Sequence, residues 1–408
     1  MLTTPTGATR SGVRDNVVGL LSLSLATCLA VTTEMLPVGL LPSIGATFGV
    51  APSTTGLLVT AFAGMVAAFS VPLAIATRRL PRKPLILATV STYVASNVLI
   101  SVAPTFAMVA VGRAVGGLAH ALFFAVAIGY VFRLVEPGQV GRGLAIVAGG
   151  STAGFVLGVP LSTVLGAAVG WRASFLVLAV VLALAIVGIT RLLPPVGSGG
   201  PSERAESRTG RVDLGLVASS NMLTFVGHYT VYTYVSVVLV TAGARQAAIG
   251  PLLMVCGVCG LVGLWCTGRW IDRRMRATVL VVLMALAVSI LGVGVAHRWL
   301  VGTVIAVAAW SGAFGGTPSM FQAAAGRAAS GAPELAGAWI NATSNLGIAA
   351  GALIGGSILR SGSAVAHLTL VGAVLVLTGS GVAAAARRAF SGALEGDARR
   401  DESRVREG

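Results

Sequence analysis

Long apolar runs separated by short polar turns fill almost the entire sequence. A helix of about 20 apolar residues spans a bilayer core of about 30 Å, and the runs are close to that length. The pattern therefore predicts an all-α integral membrane protein with twelve transmembrane helices. The predicted helices cover residues 17–41, 55–77, 85–103, 106–132, 143–167, 173–193, 214–240, 249–267, 278–296, 301–325, 338–359 and 364–386.

The segment 194–213 differs from the other turns because it is long and opens with glycine, serine and proline, a composition typical of a flexible linker. It divides the predicted helices into two sets of six. Helices 5 and 11, which correspond in the two sets, both carry glycines at every fourth position (154 and 158; 347, 351 and 355). We therefore predict two pseudo-symmetric six-helix bundles, the architecture that supports alternating access. The predicted segments are a cytoplasmic N-terminal tail (1–16), an N-terminal bundle (17–193), the linker (194–213), a C-terminal bundle (214–386) and a cytoplasmic C-terminal tail (387–408).

Charged residues are scarce and lie mostly on one side of this arrangement. They make up 10% of the chain, against 55% hydrophobic residues and a mean hydropathy of +0.90. The net charge of +15 comes from arginines that cluster in alternate turns and in both tails. Because basic residues mark the cytoplasmic face, we expect both termini inside a bacterial cytoplasmic (inner) membrane. The positive charge is then a topology signal, and nucleic-acid binding is not expected.

No cofactor or metal is expected, and the sequence favours a transporter over an enzyme. Cys256 and Cys259 form a CxxC pair, but no second pair accompanies them. The chain has no Gly-x-x-x-x-Gly-Lys-Ser/Thr loop for ATP, so energy for transport must come from an ion gradient or from the substrate. An enzyme or sensor would need clustered polar groups, whereas the histidines are dispersed at His120, His228, His297 and His367.

Glu34 is the only acidic residue within a long apolar run. A carboxylate at membrane depth costs roughly 2.5–3.5 kcal/mol on insertion scales, so it is expected to serve a function or to lie beside a partner. Burial disfavours its charged form, which suits a group that binds and releases a proton. Three alternatives remain at this stage: direct contact with substrate, a structural hydrogen bond, and a position near the outer surface.

Arg113 is the only basic residue well inside a predicted helix, and a buried guanidinium must be paired or hydrogen-bonded. Whether it pairs with Glu34 is not determined by the sequence. His120 lies seven residues later on the same helical face, and histidine can relay protons near neutral pH. It can equally be a core residue with satisfied hydrogen bonds. Glu34, Arg113 and His120 are the candidate proton-coupling residues.

Candidate substrate-binding residues lie in the second half. Helix 7 carries polar residues on one face, helix 10 carries a stripe of aromatic residues, and helix 11 carries two asparagines one turn apart. Polar side chains in a membrane helix are expected to face a cavity or a neighbouring helix, and both alternatives stay open. The candidates are Asn221, Thr224, His228, Tyr232, Trp310, Phe314, Asn341 and Asn345, and the aromatic stripe continues to Phe321.

Five stretches together resemble the major facilitator superfamily and, within it, the twelve-helix drug:proton antiporter branch, which includes sugar and chloramphenicol exporters. They are TEMLPVGLLP (33–42) on helix 1, the basic turns after helices 2 and 8, RAVGGLAHA (113–121) on helix 4, GFVLGVP (154–160) on helix 5, and GWR (170–172) between helices 5 and 6.

The resemblance implies that Arg113 tunes the proton site. It also implies that the antiporter motif on helix 5, with Gly154, Gly158 and Pro160, limits leak and shapes an export cycle. The basic turns would gate the cytoplasmic side through Arg78, Arg82, Lys83, Asp272 and Arg273.

The first of these turns departs from the family pattern. The turn after helix 2 carries Arg78 where the family usually has an acidic residue, whereas the copy after helix 8 retains Asp272. A gating salt bridge through the first turn is therefore in doubt, although the fold is not.

The sequence thus predicts a monomeric secondary transporter that exports a small organic molecule (a drug, sugar or nucleoside) in exchange for protons. Its expected partners are that substrate, protons and the lipid bilayer. An importer or facilitator of the same fold is the alternative, and a non-transporting membrane enzyme or sensor is a remote one.

Overall fold

The computed structural model describes residues 12–77, 79–196, 208–271, 273–328, 333–361 and 365–390. Among these residues, twelve helices are long and apolar enough to cross a membrane, which confirms the predicted fold class. The helices of the first half are α1 (Val17–Phe48), α2 (Pro52–Thr55 continued by Leu57–Ala76), α3 (Arg82–Ser101), α4 (Phe106–Leu134), α5 (Val140–Val169) and α6 (Trp171–Leu192). Those of the second half are α7 (Arg208–Tyr232 continued by Val235–Thr241), α8 (Ile249–Ile271), α9 (Met275–Ala296), α10 (Leu300–Gly315 continued by Thr317–Ala328), α11 (Pro333–Arg360) and α12 (Val365–Ala385).

Several helices extend beyond the apolar runs that predicted them. α1 continues to Phe48 and ends at Gly49, whose φ of 63° is left-handed and whose N–H bonds to Gly45 O. α7 begins at Arg208, so residues 208–213 of the predicted linker are helical. A helix needs no apolar side chains where it leaves the bilayer, and apolar runs therefore underestimate its length. The rest of the predicted linker and tails lies largely outside the described residues, at 1–11, 197–207 and 391–408.

The chain forms two compact units. Unit 1 comprises Met1–Ser202 with Tyr234–Val237 and Ala244–Met254, and unit 2 comprises Glu203–Thr233, Val238–Gly243 and Val255–Gly408. The main division falls in the predicted linker. Short pieces of α7 and α8, which the sequence assigned to the C-terminal bundle, group with unit 1.

The helix pairing in unit 2 repeats that in unit 1 six helices later. In unit 1, α1 packs on α5 and α6, α2 and α3 pack on α4, and α3 packs on α6. In unit 2, α7 packs on α11 and α12, and α9 packs on α10 and α12. α8 also approaches α10, where a Cβ built on Gly263 would lie 1.7 Å from Gly312 O. Each unit thus has the same internal arrangement of its helices.

Glycines hold α5 against α1 at backbone distance. A Cβ built on Gly150 would lie 1.9 Å from Ser24 O, and one on Gly158 would lie 1.9 Å from Thr32 Oγ1. Gly154 lies between them on the same face, and its Cβ would lie 2.6 Å from a carbonyl oxygen of α1. Small residues one turn apart permit this close packing of membrane helices.

α5 also contains a wide helical turn at this seam. Gly154–Gly158 forms a π-helical segment, in which the Val159 N–H bonds to Gly154 O. Pro160 follows directly and has no N–H to donate to the preceding turn, which favours a local change of helical pitch. The segment that resembles the antiporter motif therefore contains the π-helical turn of α5.

The corresponding helices of unit 2, α7 and α11, are also packed closely through glycines. A Cβ built on Gly347 of α11 would lie 2.9 Å from Met222 O, and one on Gly351 would lie 2.6 Å from Val226 O, both on α7. The shared glycine spacing of helices 5 and 11 therefore has the same role in both units: it lets the helix pack closely against the first helix of its unit.

We expect the substitution Gly150→Ala to lower the melting temperature of the detergent-solubilised protein by roughly 2–10 °C, because its Cβ would push a backbone carbonyl of α1 away. The neighbouring substitution Gly149→Ala provides a matched control, since a Cβ there meets nothing within 4 Å. It should leave the melting temperature unchanged or slightly higher, because alanine favours helix. Tryptophan fluorescence during heating measures both, and equal melting temperatures for the two variants would contradict a tight seam.

Candidate functional site

A proline in α1 exposes a backbone acceptor beside Glu34. Pro37 has no N–H, so the carbonyl of Thr33, four residues earlier, lacks its helical donor. Arg113 of α4 supplies donors in its place: its Nη1 lies 2.5 Å from Thr33 O and its Nη2 lies 2.6 Å from Glu34 O. Arg113 is only 1% exposed. A buried guanidinium thus joins α4 to the interrupted turn of α1.

The rest of the Arg113 guanidinium faces α2. Its Nε donates to Leu58 O at 3.2 Å, and its Cζ lies 4.2 Å from the centroid of the Phe62 ring. Gly117 permits this approach, because a Cβ there would lie 2.3 Å from Phe62 O. Within the described part of the chain, Arg113 forms no ion pair with the Glu34 carboxylate. The sequence left this pairing open, and the structure satisfies Arg113 with carbonyls and an aromatic face instead.

The Glu34 carboxylate faces His120. His120 Nε2 lies 3.6 Å from Glu34 Oε2, which is longer than a direct hydrogen bond but close enough for a small side-chain rotation to form one. Both residues are buried, at 7% and 2% exposure. The His120 ring packs against Phe62, Tyr93 and Phe124. The three residues proposed from the sequence for proton coupling are therefore brought together inside unit 1.

Two residues of α3, Tyr93 and Asn97, complete this cluster, and neither was predicted from the sequence. Asn97 donates through Nδ2 to Thr33 Oγ1 at 3.2 Å and to Tyr93 O at 2.9 Å. Tyr93 and Asn97 are both 0% exposed. Their spacing of one helical turn, which places both side chains on one face of α3, could have indicated a shared site. Several other polar pairs in the chain have the same spacing, so it does not identify this pair. Only the packing of α3 against α4 distinguishes this pair.

A second cluster, in unit 2, centres on His228 of α7. The His228 ring stacks on Phe314 of α10, with centroids 3.4 Å apart and planes 9° apart. Trp310 Nε1 donates to His228 Nδ1 at 3.0 Å. An indole nitrogen can only donate, so Nδ1 must be an acceptor and His228 is a neutral ring with its proton on Nε2. Tyr232 also stacks on this ring, with centroids 5.0 Å apart.

The remaining polar candidates of α7 take part in hydrogen bonds of the helices themselves. Asn221 Nδ2 donates to Ile340 O, Thr343 Oγ1 and Ser344 Oγ of α11, at 2.9–3.3 Å. Thr224 is fully buried and donates to the carbonyl of Ser220. In this structure Asn221 therefore forms the helix–helix hydrogen bonds that the sequence left open as an alternative, whereas Thr224 bonds within α7 itself.

The asparagines of α11 bond to each other. Asn345 Nδ2 donates to Asn341 O at 3.0 Å, and Asn345 is 3% exposed while Asn341 is partly exposed. Phe321 is separated from the aromatic cluster, because α10 is interrupted at Gly316 and Phe321 packs against Phe390 instead. The predicted aromatic stripe on α10 thus ends at Phe314.

The residues of the basic turns are placed only in part. Arg78 and Asp272 lie outside the described residues. Lys83 Nζ donates to Thr190 O at 2.8 Å near the end of α6, Arg82 is buried at the start of α3, and Arg273 is exposed. For Lys83, the structure therefore indicates a helix-end contact within unit 1.

The Gly-Trp-Arg turn between α5 and α6 forms a clamp at the opposite end of unit 1. Gly170 has a φ of 95°, which suits glycine. Trp171 Nε1 donates to Thr47 Oγ1 at 2.9 Å, and Arg172 Nη2 donates to Ala103 O at 2.9 Å.

In the described part of the chain, no group of three His, Cys, Asp or Glu side chains is arranged to hold a metal ion.

Comparison with known proteins places the chain in a family. Residues 23–352 match the Major Facilitator Superfamily. The chain is 29% identical over 356 residues to a protein of Mannheimia succiniciproducens named "Probable sugar efflux transporter", covering 84% of this chain and 87% of that protein. It is 28% identical over 353 residues to the Bacillus subtilis protein named "Uncharacterized MFS-type transporter YfhI", with 85% and 88% covered.

The fold is also that of a solved transporter structure. A D-xylose-proton symporter superposes with a TM-score of 0.76 at 14% sequence identity, covering 90% of this chain and 97% of that one. At that identity the likeness concerns the fold alone. With a family match over most of its sequence and twelve helices suited to a bilayer, the chain belongs to the Major Facilitator Superfamily of multi-pass membrane transporters.

Proposed function

We propose that this chain exports a small, neutral organic molecule across a bacterial cytoplasmic membrane in exchange for protons, with both termini in the cytoplasm. The observation that carries the proposal is the arrangement of Arg113. Its guanidinium is satisfied by the carbonyls of Thr33, Glu34 and Leu58 and by an aromatic ring, so it does not hold the Glu34 carboxylate in a salt bridge.

A carboxylate held in a tight ion pair stays ionised and cannot cycle between its two protonation states. The Glu34 carboxylate instead faces His120, which can accept or donate a proton. The positive charge of Arg113 remains near enough to keep the ionised form accessible. This combination suits a group that takes up a proton from one side of the membrane and releases it to the other.

Unit 2 supplies the candidate contacts for substrate. His228 is neutral, and Phe314 and Tyr232 are partly exposed aromatic side chains beside it. In the described part of unit 2, acidic and basic residues occur only near helix ends. Aromatic faces with a few neutral hydrogen-bonding groups favour an uncharged, hydroxyl-bearing ring compound. A sugar fits this description, in agreement with the name of the Mannheimia succiniciproducens relative.

Export rather than uptake is supported by two observations. The glycine-rich turn of α5 resembles the antiporter motif, and the relative at 29% identity is named as an efflux transporter. The cytoplasmic placement of both termini is supported by the arginines of the alternate turns. An importer or facilitator of the same fold would give a different result in the following experiment.

We expect everted membrane vesicles with an acidified lumen to release luminal protons when substrate is added, and Glu34→Gln vesicles not to do so. Glutamine preserves the size of the side chain but cannot bind the proton. A pH-sensitive dye reports the lumen while lactose, uridine and chloramphenicol are added in turn. Glu136→Gln is the control, because Glu136 is an exposed acid in the turn before α5.

Substrate-driven alkalinisation at the wild-type rate in Glu34→Gln would remove Glu34 from the coupling mechanism. Equilibration of labelled substrate without any proton movement in the wild type would favour a facilitator. Transport of substrate toward the cytoplasmic side, driven by protons moving in the same direction, would favour an importer.

We expect Trp310→Phe to raise the apparent KM for the exported substrate by roughly 2- to 10-fold, the effect of losing one hydrogen bond. The substitution removes the donor to His228 Nδ1 and frees the orientation of that ring. The ratio of protons to substrate should not change. Trp265→Phe is the matched control, because Trp265 is 67% exposed on α8. An unchanged KM in Trp310→Phe would argue against a role of this cluster in binding.

A further inference from the structure

Three buried polar atoms around the Glu34–His120 pair have no hydrogen-bond partner among the described residues. They are Tyr93 Oη, Asn97 Oδ1 and His120 Nδ1. Buried polar atoms in proteins are nearly always hydrogen-bonded, to protein or to ordered water. Three such atoms in one cluster therefore point to a ligand that can serve all of them.

These atoms belong to side chains that neighbour one another beside Glu34 in unit 1. The Tyr93 and His120 rings have centroids 6.1 Å apart and meet edge to face. Asn97 lies one turn after Tyr93 and bonds to Thr33, the neighbour of Glu34. His120 in turn approaches Glu34 through its other nitrogen, Nε2. His120 Nδ1 is therefore the ring nitrogen that remains for a ligand shared with Tyr93 and Asn97.

We propose that Tyr93, Asn97 and His120 bind a single water molecule that delivers the coupling proton to Glu34 through His120. This inference rests on the proposed proton-coupled export and adds its entry step. Tyr93 and Asn97 act as positioning residues, while Glu34 and His120 carry the proton.

The donors and acceptors of the three side chains match one water molecule. When Glu34 is ionised, His120 carries its proton on Nε2 toward the carboxylate, so Nδ1 is an acceptor. Asn97 Oδ1 is also an acceptor, because its Nδ2 is already used as a donor. A water molecule donates its two hydrogens to these two acceptors and receives the Tyr93 O–H. Three hydrogen bonds are the usual number for a buried water.

The proton step balances within this arrangement. A proton arriving at the water passes on as the water gives one of its hydrogens to His120 Nδ1. The Nε2–H bond of His120 breaks, and an O–H bond forms on Glu34. The imidazole ends neutral with its proton on Nδ1, Glu34 ends as a neutral carboxylic acid, and the water is restored. Reversing the same bonds returns the proton to the water and restores the proton on His120 Nε2, and the proton then leaves to whichever side the alternating-access cycle has opened to the water.

The positive charge of Arg113 disfavours a doubly protonated, positively charged His120. Both side chains contact Phe62, with the Arg113 Cζ 4.2 Å and the His120 ring centroid 5.2 Å from that ring's centroid. A second cation so near a buried guanidinium is unfavourable, so the proton moves on to Glu34. Besides Glu34 itself, the titratable or charged groups facing His120 are Arg113 of α4 and Tyr93 of α3. α2 contributes the apolar Phe62.

The test measures proton uptake by the purified full-length protein after a rapid acid pulse, using a pH-sensitive dye in weak buffer. Wild type should take up one proton that Glu34→Gln does not. Tyr93→Phe removes only the hydroxyl, and Asn97→Leu removes the acceptor while keeping the size of the side chain. Both should take up the same proton about 10-fold more slowly, below the 10²–10⁴-fold contribution of a complete acid–base group.

Tyr130→Phe is the matched control. Tyr130 lies on α4, the helix of His120, and donates its hydroxyl to Pro194 O, away from the cluster, so the loss of this hydroxyl should leave the rate unchanged. A wild-type rate of uptake in either Tyr93→Phe or Asn97→Leu would overturn the water relay. Equal proton uptake by wild type and Glu34→Gln would instead overturn the proposed coupling role of Glu34, so the two failures are distinguishable. The slower rate also separates a relay from a structural role, which would change the amount of folded protein rather than the rate of uptake.

Discussion

The hydrogen bonds from Arg113 to the carbonyls of Thr33 and Glu34 hold the candidate proton site together. They exist because Pro37 removes a helical donor and leaves the Thr33 carbonyl at membrane depth without its usual hydrogen bond, which is costly there. The guanidinium thereby hydrogen-bonds the unpaired carbonyl of α1 and its neighbour, and these bonds satisfy its own donors. Because the Glu34 carboxylate is not needed to neutralise Arg113, it remains available to bind a proton.

The two units differ in the kind of group they bury. Unit 1 buries an acid, a guanidinium and a histidine beside one another, whereas the cluster in unit 2 consists of a neutral histidine and aromatic rings. Yet both units use the same helix pairing and the same glycine seam against their first helix. A repeated scaffold therefore carries two chemically different clusters, one proposed to take up a proton and one proposed to bind an uncharged organic molecule.

Much of the fold followed from the sequence, because a run of apolar residues long enough to span a bilayer has few alternatives. Glu34 and Arg113 were identifiable for the same reason, since charge at membrane depth is costly. Tyr93 and Asn97 were not, because a buried tyrosine or asparagine is common and only the packing of α3 against α4 gives this pair its neighbours. Asn221 is the opposite case. Its polar side chain in an apolar helix was evident from the sequence, but its hydrogen bonds between α7 and α11 depend on tertiary contacts that the sequence does not show.

We propose that the Glu34 carboxyl changes its protonation state because Arg113 does not hold it as an ion pair. Infrared difference spectroscopy of the reconstituted protein tests this directly, since a protonated carboxyl has a distinct C=O stretch. Wild type should show this band appearing as the buffer is made acidic, and Glu34→Gln should lack it. A Glu34 that stays ionised from acidic to alkaline buffer, with no such band, would show that this carboxyl does not take up the coupling proton.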